Sequence, residues 1–254
     1  MPVYAAPQHR YAAPLRRWLL GRGYAVYIAA PPEAAELLRR GAADAGMAPL
    51  GLLASGEGLR CCPGPMVYSK AETMSVAVFS RGPRRLGGCD RIAVTGETRT
   101  SILYLQLALE NMGLRPRLLR LSATSAYRLL RAAPCALVIG DEALAARARG
   151  LHVVADLGEL VRDVLGISPV YAATAVARGR GCPGVLGSPP WPRPGRGDAE
   201  ATARVTGLPP REAERYHRLV RLDYNPGALA GALRLLREAL HKAQGGRVYS
   251  LSNH

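Results

Sequence analysis

Lysine is nearly missing from this chain of 254 residues: Lys70 and Lys242 are the only two, and every other basic residue is arginine. Phe79 is the sole phenylalanine. No basic run interleaved with aromatics occurs, so the chain lacks the stacking platforms that bind nucleic acid strands. The formal charge of +15 is therefore read as a scattered compositional bias and not as a nucleic-acid surface. Long apolar runs are missing too. The segment from Tyr24 to Ala30 is too short to span a bilayer. Met1 to Pro14 has no apolar centre of the signal-peptide kind. The expectation is a soluble, cytoplasmic protein with no membrane partner. The chain has no C-x-x-C pair and no histidine cluster near its cysteines, which argues against a zinc site. Cys61, Cys62, Cys89, Cys135 and Cys182 are odd in number, and adjacent Cys61 and Cys62 are poorly placed to bridge each other. Reduced thiols are expected. No metal or cofactor is implied.

Hydrophobic residues make up 48% of the chain, enough to build one large domain or two small ones. The most informative stretch is Val94 to Ile102. Ile92, Ala93 and Val94 end a buried strand, and a polar turn follows with hydroxyls at Thr98, Thr100 and Ser101. Ile102, Leu105, Leu109 and Met112 then recur at helical spacing up to Gly113. A helix starting this way offers free N–H groups and the positive end of its dipole, and Arg99 adds charge. That suits a carboxylate or phosphate. The alternative is that Thr98 or Thr100 simply caps the helix. Glu97 can cap or pair with Arg99.

The rest of the chain reads as two α/β series, and the βαβα order of the first implies parallel strands with helices on both faces. Strands are expected at 3–6, 24–29 and 43–49, with helices at 14–20 and 32–40. Residues 61–73 read as irregular and 74–80 as a strand. The second series has strands at 91–94, 117–121, 136–140 and 153–157, with helices between. A long strand spans 169–177. The proline- and glycine-rich segment 178–197 reads as a mobile loop. Helices follow at 209–220 and 226–244.

Several segments share an order and spacing: Ser75-Val-Ala-Val-Phe-Ser80, Ile92 to Ser101, Ala136-Leu-Val-Ile-Gly-Asp-Glu-Ala-Leu144, Asp156-Leu-Gly-Glu159, Leu165 to Ala172 and Tyr216 to Tyr224. Together they resemble the MqnA/MqnD family, in its MqnA branch, the chorismate dehydratases of the futalosine route to menaquinone. The resemblance covers roughly residues 40–245. It implies an α/β fold of two lobes, like type II periplasmic binding proteins, with ligand in the cleft between them. The lobes would be 1–78 plus 175–254 and 88–168, with hinge crossings at 79–87 and 169–174.

The reaction implied is loss of water from chorismate to give 3-[(1-carboxyvinyl)oxy]benzoate, a lyase step needing neither metal nor cofactor. The only partner implied is that small dicarboxylate; oligomeric state is not implied. Substrate contacts would fall to Thr98, Arg99, Thr100 and Ser101, to Ser75, and to Gly140 and Asp141. Asp141 reads equally well as a helix cap. Where the family has an asparagine three residues before Pro-Leu, this chain has Tyr11 before Pro14-Leu15. Tyr11 or His9 would then be catalytic, with Arg10 binding substrate. The family tryptophan after Asp-Leu-Gly-Glu is replaced by Leu160 and Val161. Two other readings stand beside the lyase. One is a small-anion binding protein of the same fold. The other is the sister activity on cyclic dehypoxanthine futalosine.

Overall fold

The computed structural model describes residues 1–96 and 98–244, so the role expected of Glu97 lies outside the described residues. The chain opens as β1 (Val3–Pro7), α1 (Ala13–Leu20), β2 (Ala25–Ala29), α2 (Pro31–Arg39), β3 (Ala45–Pro49), α3 (Leu50–Ser55) and β4 (Leu59–Tyr68). It continues as β5 (Val76–Ser80), β6 (Arg91–Thr95), α4 (Thr100–Asn111), β7 (Arg117–Leu121), α5 (Ala126–Ala132) and β8 (Cys135–Ile139). Next come α6 (Gly140–Ala148), β9 (His152–Asp156), α7 (Leu157–Leu165) and β10 (Val170–Ala177). Three helices, α8 (Arg196–Thr206), α9 (Pro210–Leu219) and α10 (Pro226–Gln244), end the described chain.

Local chemistry sets many of these boundaries. Prolines at the first turns of α1, α2 and α9 fit because the N–H they lack has no helical partner there. Asp156 caps α7 by accepting from the N–H groups of Gly158 and Glu159, and Gly166 ends it in the left-handed conformation.

The strands form two sheets of matching plan, β2-β1-β3-β10-β4 and β7-β6-β8-β5-β9. β1 is parallel to β2 and β3, and β6 to β7 and β8. The parallel strands expected of the βαβα opening are present, while β10 and β5 each run antiparallel to both neighbours. One apolar core runs through both lobes, from Ala5 and Leu50 to Ile92 and Leu105. Each fully buried side chain such as Leu105 contributes about 1.5–3 kcal/mol.

Three expectations about the chain path are corrected. The first hinge crossing is residues 69–75, not 79–87, because β5 pairs with β8 and β9 in the second sheet, and 81–90 joins β5 to β6 within that lobe. The return crossing is 166–169, since β10 already belongs to the first sheet. Residues 59–68, expected to be mostly irregular, form the edge strand β4. Pro63 and Pro65 are tolerated there because an edge strand has a solvent side, and a register shift opposite Ala173 to Ala175 absorbs the irregularity.

The expectation of reduced thiols is also corrected. Cys62 is bonded to Cys182 and Cys89 to Cys135; only Cys61 remains a thiol. Sequence spacing hides these pairs because β4 meets the segment after β10 only in the folded sheet. Disulfides persist in oxidising compartments or inside hyperthermophiles, which removes one support for a cytoplasmic location. Among the described residues, no helix is long and apolar enough to cross a membrane.

Segment 178–197, expected as a loop, is tied to the first lobe at several points. The Cys62–Cys182 bond fixes its start. Trp18 on α1 donates to the Pro190 carbonyl at 2.5 Å, and Arg22 donates to the carbonyls of Val185, Ser188 and Pro190. Just beyond it, Arg17 grips Asp198 through two bonds of 2.6 Å.

Candidate functional site

A cleft lies between the lobes. Residues just past the carboxyl ends of β1, β3, β6 and β8 line it, where ligand sites of α/β sheets gather.

The start of α4 forms one wall. Arg99 occupies the N-cap position without a capping bond, and the first turn holds no acid. Among the described residues, the first-turn N–H groups thus lack the usual side-chain acceptor. Thr98, 1% exposed, lines the cleft, and its hydroxyl has no partner. A buried hydroxyl left so carries a desolvation cost that a ligand can relieve. Arg99 and Ser101 line the same wall. The capping alternative for Thr98 or Thr100 is not realised. Thr100 is spent otherwise: its hydroxyl donates to the Tyr171 carbonyl at 2.8 Å and accepts from the Gly51 N–H at 3.0 Å. It ties α4 to α3 and β10, and only its backbone faces the anion question. Close packing there also requires Gly51, where a β-carbon would stand 3.2 Å from the Arg99 carbonyl oxygen.

The opposite wall is the loop after β1. His9 and Tyr11 stack at a ring separation of 5.8 Å and both line the cleft. Arg16 on α1 donates to the carbonyls of Pro7 at 2.6 Å and His9 at 3.3 Å, fixing the loop from its own lobe. Asp141 fixes it from the other, accepting the Arg10 N–H at 3.1 and 3.3 Å. Burial and, secondarily, the Asp141 charge push the Tyr11 phenol above its ordinary range, so it is a proton donor at neutral pH.

Of the expected site residues, His9, Tyr11, Ser75, Thr98, Arg99, Thr100, Ser101 and Gly140 meet round this cleft. Arg10 and Asp141 do not line it. They bond to each other behind it, and Asp141 faces an adjoining polar cavity with Gln8 and Glu142. Gly140 adopts φ +67° and donates its N–H to the Ser75 carbonyl at 2.7 Å. The Ser75 hydroxyl stands beside the buried Tyr216 phenol.

Tyr171, Thr73 and Tyr68 were not expected but also line the cleft. The Tyr171 phenol shares a 2.8 Å hydrogen bond with Thr73, and burial pushes its pKa far up. Its signal lay in the segment Leu165 to Ala172, where Tyr171 is the one large polar side chain. Among the described residues, no cluster of three His, Cys, Asp or Glu side chains could hold a metal ion.

The Asp156-Leu-Gly-Glu159 segment lies at the hinge. Asp156 accepts from the N–H groups of Thr73 at 2.9 Å and Met74 at 2.8 Å and pairs with Arg147 at 2.8 Å. Arg147 also donates to the Met74 carbonyl at 2.7 Å. Met74, at φ 61°, is the only described non-glycine residue with positive φ. Gly158 admits the crossing: a β-carbon there would collide with the Ala71 carbonyl and the Thr73 hydroxyl.

A family model described as menaquinone biosynthesis matches residues 9–182. No curated protein sequence matches the chain significantly. Among solved structures, the chain is similar to protein AF1704 from Archaeoglobus fulgidus, at 18% identity and TM-score 0.67, covering 96% of this chain and 97% of that one. It is also similar to the alkanesulfonate-binding protein SsuA from Xanthomonas axonopodis pv. citri bound to MOPS, at 17% identity and TM-score 0.67, covering 96% and 93%. For the periplasmic aliphatic sulphonate binding protein SsuA from Escherichia coli the values are 15%, 0.62, 96% and 87%. These likenesses show the fold, that of two-lobed periplasmic solute-binding proteins.

Proposed function

The chain belongs to the menaquinone-biosynthesis family, and from that premise we propose that it is a chorismate dehydratase, a carbon–oxygen lyase giving 3-[(1-carboxyvinyl)oxy]benzoate. The observation that carries this reading is the start of α4, uncapped among the described residues, where Thr98, whose buried hydroxyl has no partner, lines the cleft. A substrate carboxylate takes the first-turn N–H groups, with Thr98, Arg99 and Ser101 around it.

The chemistry breaks a ring C–H bond and the C–O bond of the ring hydroxyl. The C–H electron pair enters the ring, which becomes aromatic as the C–O bond breaks. Tyr11 keeps its proton and suits the leaving oxygen as hydrogen-bond donor. His9, stacked on it, receives the ring proton and passes it to the departing hydroxide, which leaves as water and returns the imidazole to its starting state. Aromatisation drives the step, so holding substrate between the His9–Tyr11 wall and the α4 wall supplies a large share of the acceleration.

The test is incubation of purified protein with chorismate, followed by chromatography and mass measurement. Formation of the enolpyruvyl benzoate supports the lyase; unchanged chorismate with folded protein overturns it. A second reading is binding of a small anion without chemistry, and Tyr11 at the position of the family asparagine favours it. Under that reading chorismate raises the melting temperature and is recovered intact.

A further inference from the structure

Arginines that the sequence scatters are gathered by the fold at one end of the second lobe. β6, β7 and β8 are parallel, with Arg91 beside Arg117 and Ile92 beside Cys135, and Ser80 at the end of β5 also pairs with Cys135. The turns that enter or leave these strands therefore meet on one edge. They are also tied together. The Arg81 N–H donates to the Pro134 carbonyl at 3.1 Å, the Arg117 N–H donates to the Asp90 carbonyl at 2.9 Å, and Cys89 is bonded to Cys135. Arg81, Arg84 and Arg85 on the 81–90 connector, Arg115 and Arg117 leading into β7, and Arg131 at the end of α5 are all exposed there. Among the described residues none of these pairs with a carboxylate, whereas exposed arginines elsewhere, such as Arg40, Arg162 and Arg218, do. Along 81–91, 110–117 and 131–135 the only acids are Asp90, which pairs with Arg91, and Glu110. Glu97, the one acid of the sequence outside the described residues, follows the opposite end of β6.

Two further features narrow the partner. Met112, 43% exposed, stands in the turn after α4, an apolar tip among the arginines. Tyrosine, tryptophan and phenylalanine are missing from these turns, so they offer a nucleic acid base no stacking face. Positive charge with an apolar tip fits the surface of a bilayer, where phosphates take the arginines and the apolar side chain enters the headgroup layer. We propose that this edge of the second lobe is a docking surface for a bilayer rich in anionic phospholipid. The expectation of no membrane partner rested on the missing spanning segment, which such contact does not need. The cleft lies past the carboxyl ends of β6 and β8, at the other end of the same strands, and is left uncovered. The proposal does not depend on the lyase reading.

The test is co-sedimentation of the full, oxidised chain with vesicles of phosphatidylglycerol and phosphatidylcholine, beside vesicles of phosphatidylcholine alone. The wild type is expected to bind the anionic vesicles at low salt, to leave them at high salt and to ignore the neutral ones. Arg84→Gln with Arg85→Gln weakens binding about 30-fold, the effect of two arginines close to an anionic surface. Arg115→Gln with Arg117→Gln does the same, so the proposal does not hang on the folding of one variant. Arg204 and Arg211 are exposed and unpaired arginines of the first lobe. Changing both to glutamine removes the same charge and costs less than about threefold, because screening confines the effect to the docked face. Met112→Ser weakens binding about threefold at every salt concentration, since apolar burial is not screened. Failure of the wild type to bind anionic vesicles, or equal losses in the first-lobe and second-lobe variants, overturns the proposal. If a DNA duplex competes the vesicles off and the same second-lobe variants lose it, the edge is a nucleic-acid surface and the proposal falls.

Discussion

The His9 imidazole of the first lobe lies over Gly140 of the second, so close that a β-carbon at Gly140 would stand 2.5 Å from two ring atoms. The glycine is needed twice, for this approach and for its φ of +67°. Gly140→Ala is expected to push His9 off the cleft wall and strain α6 at its start. Turnover should fall ~100-fold, because misplacing a reacting group by an ångström costs that much. The melting temperature should fall too, as a non-glycine residue at such φ costs about 1–3 kcal/mol. Steady-state kinetics and a thermal melt check both.

Thr98→Val removes a buried hydroxyl that has no partner. Stability should hold or rise by about 1 kcal/mol, because an unsatisfied polar group is lost. Affinity for the anionic ligand should fall. Denaturant titration beside ligand titration separates the two effects, and a loss of stability would show that the hydroxyl serves the fold.

Asp156→Asn should loosen the hinge. The carboxylate accepts from Thr73, Met74 and Gly158 and pairs with Arg147. An amide replaces one acceptor by donors that face donors and leaves Arg147 without its counter-charge. A loss of about 3 kcal/mol or more is expected from urea unfolding, as for one partner removed from a buried pair. A change under about 0.5 kcal/mol would mean that the crossing is held elsewhere.

Stability should decline in acid in two stages. Burial lowers the pKa of His217, whose Nε2 shares a 2.9 Å hydrogen bond with Thr202 and joins α9 to α8. Folding therefore favours the neutral ring, and that contribution is lost as pH falls below its ordinary value of about 6.5. Burial would raise the Asp198 carboxyl, but the Arg17 bonds and the Gly195 N–H outweigh burial and hold it below its ordinary value. Its contribution is present at higher pH and is lost later, below about pH 4. Melts across this range should show both stages, and His217→Gln should abolish the first alone.

Reduction should weaken the fold. The Cys62–Cys182 bond closes 120 residues and Cys89–Cys135 closes 46. By chain entropy each is worth roughly 3–5 kcal/mol. A paired Cys62→Ser and Cys182→Ser variant should melt well below the oxidised protein, and a reductant should do the same to wild type. If neither changes the melt, the pair is not formed in solution.

Much of the fold could be read from residue patterns. Leu229 and Leu236 at helical spacing marked α10 at both ends, and the apolar strand Val76–Ser80 was evident. What could not be read depended on distant partners. Pro63 and Pro65 masked β4, whose pairing comes from β10 more than 100 residues later. The short α3 had no periodicity to show, and α8 began inside a proline-rich segment. The site divides likewise. The hydroxyls after β6 announced the α4 wall through local sequence. Thr73 and Tyr171 join it only because the hinge crossing and β10 run past each other. Asp141 looked like a ligand contact because nothing local reveals that it accepts the Arg10 backbone N–H.

The matching strand orders have a consequence for how the protein is made. β10 sits between β3 and β4, yet it leaves the ribosome only after the whole second sheet. Until then β3 and β4 have no strand between them, while β5 to β9 can already assemble. The second lobe is therefore expected to mature first during synthesis, and the first to wait with open sheet edges for one late strand. Such long-range pairing slows folding and leaves nascent chains prone to self-association. Fragments ending before Val170 should hold a formed second sheet and an incomplete first one, which protease protection of stalled chains would reveal.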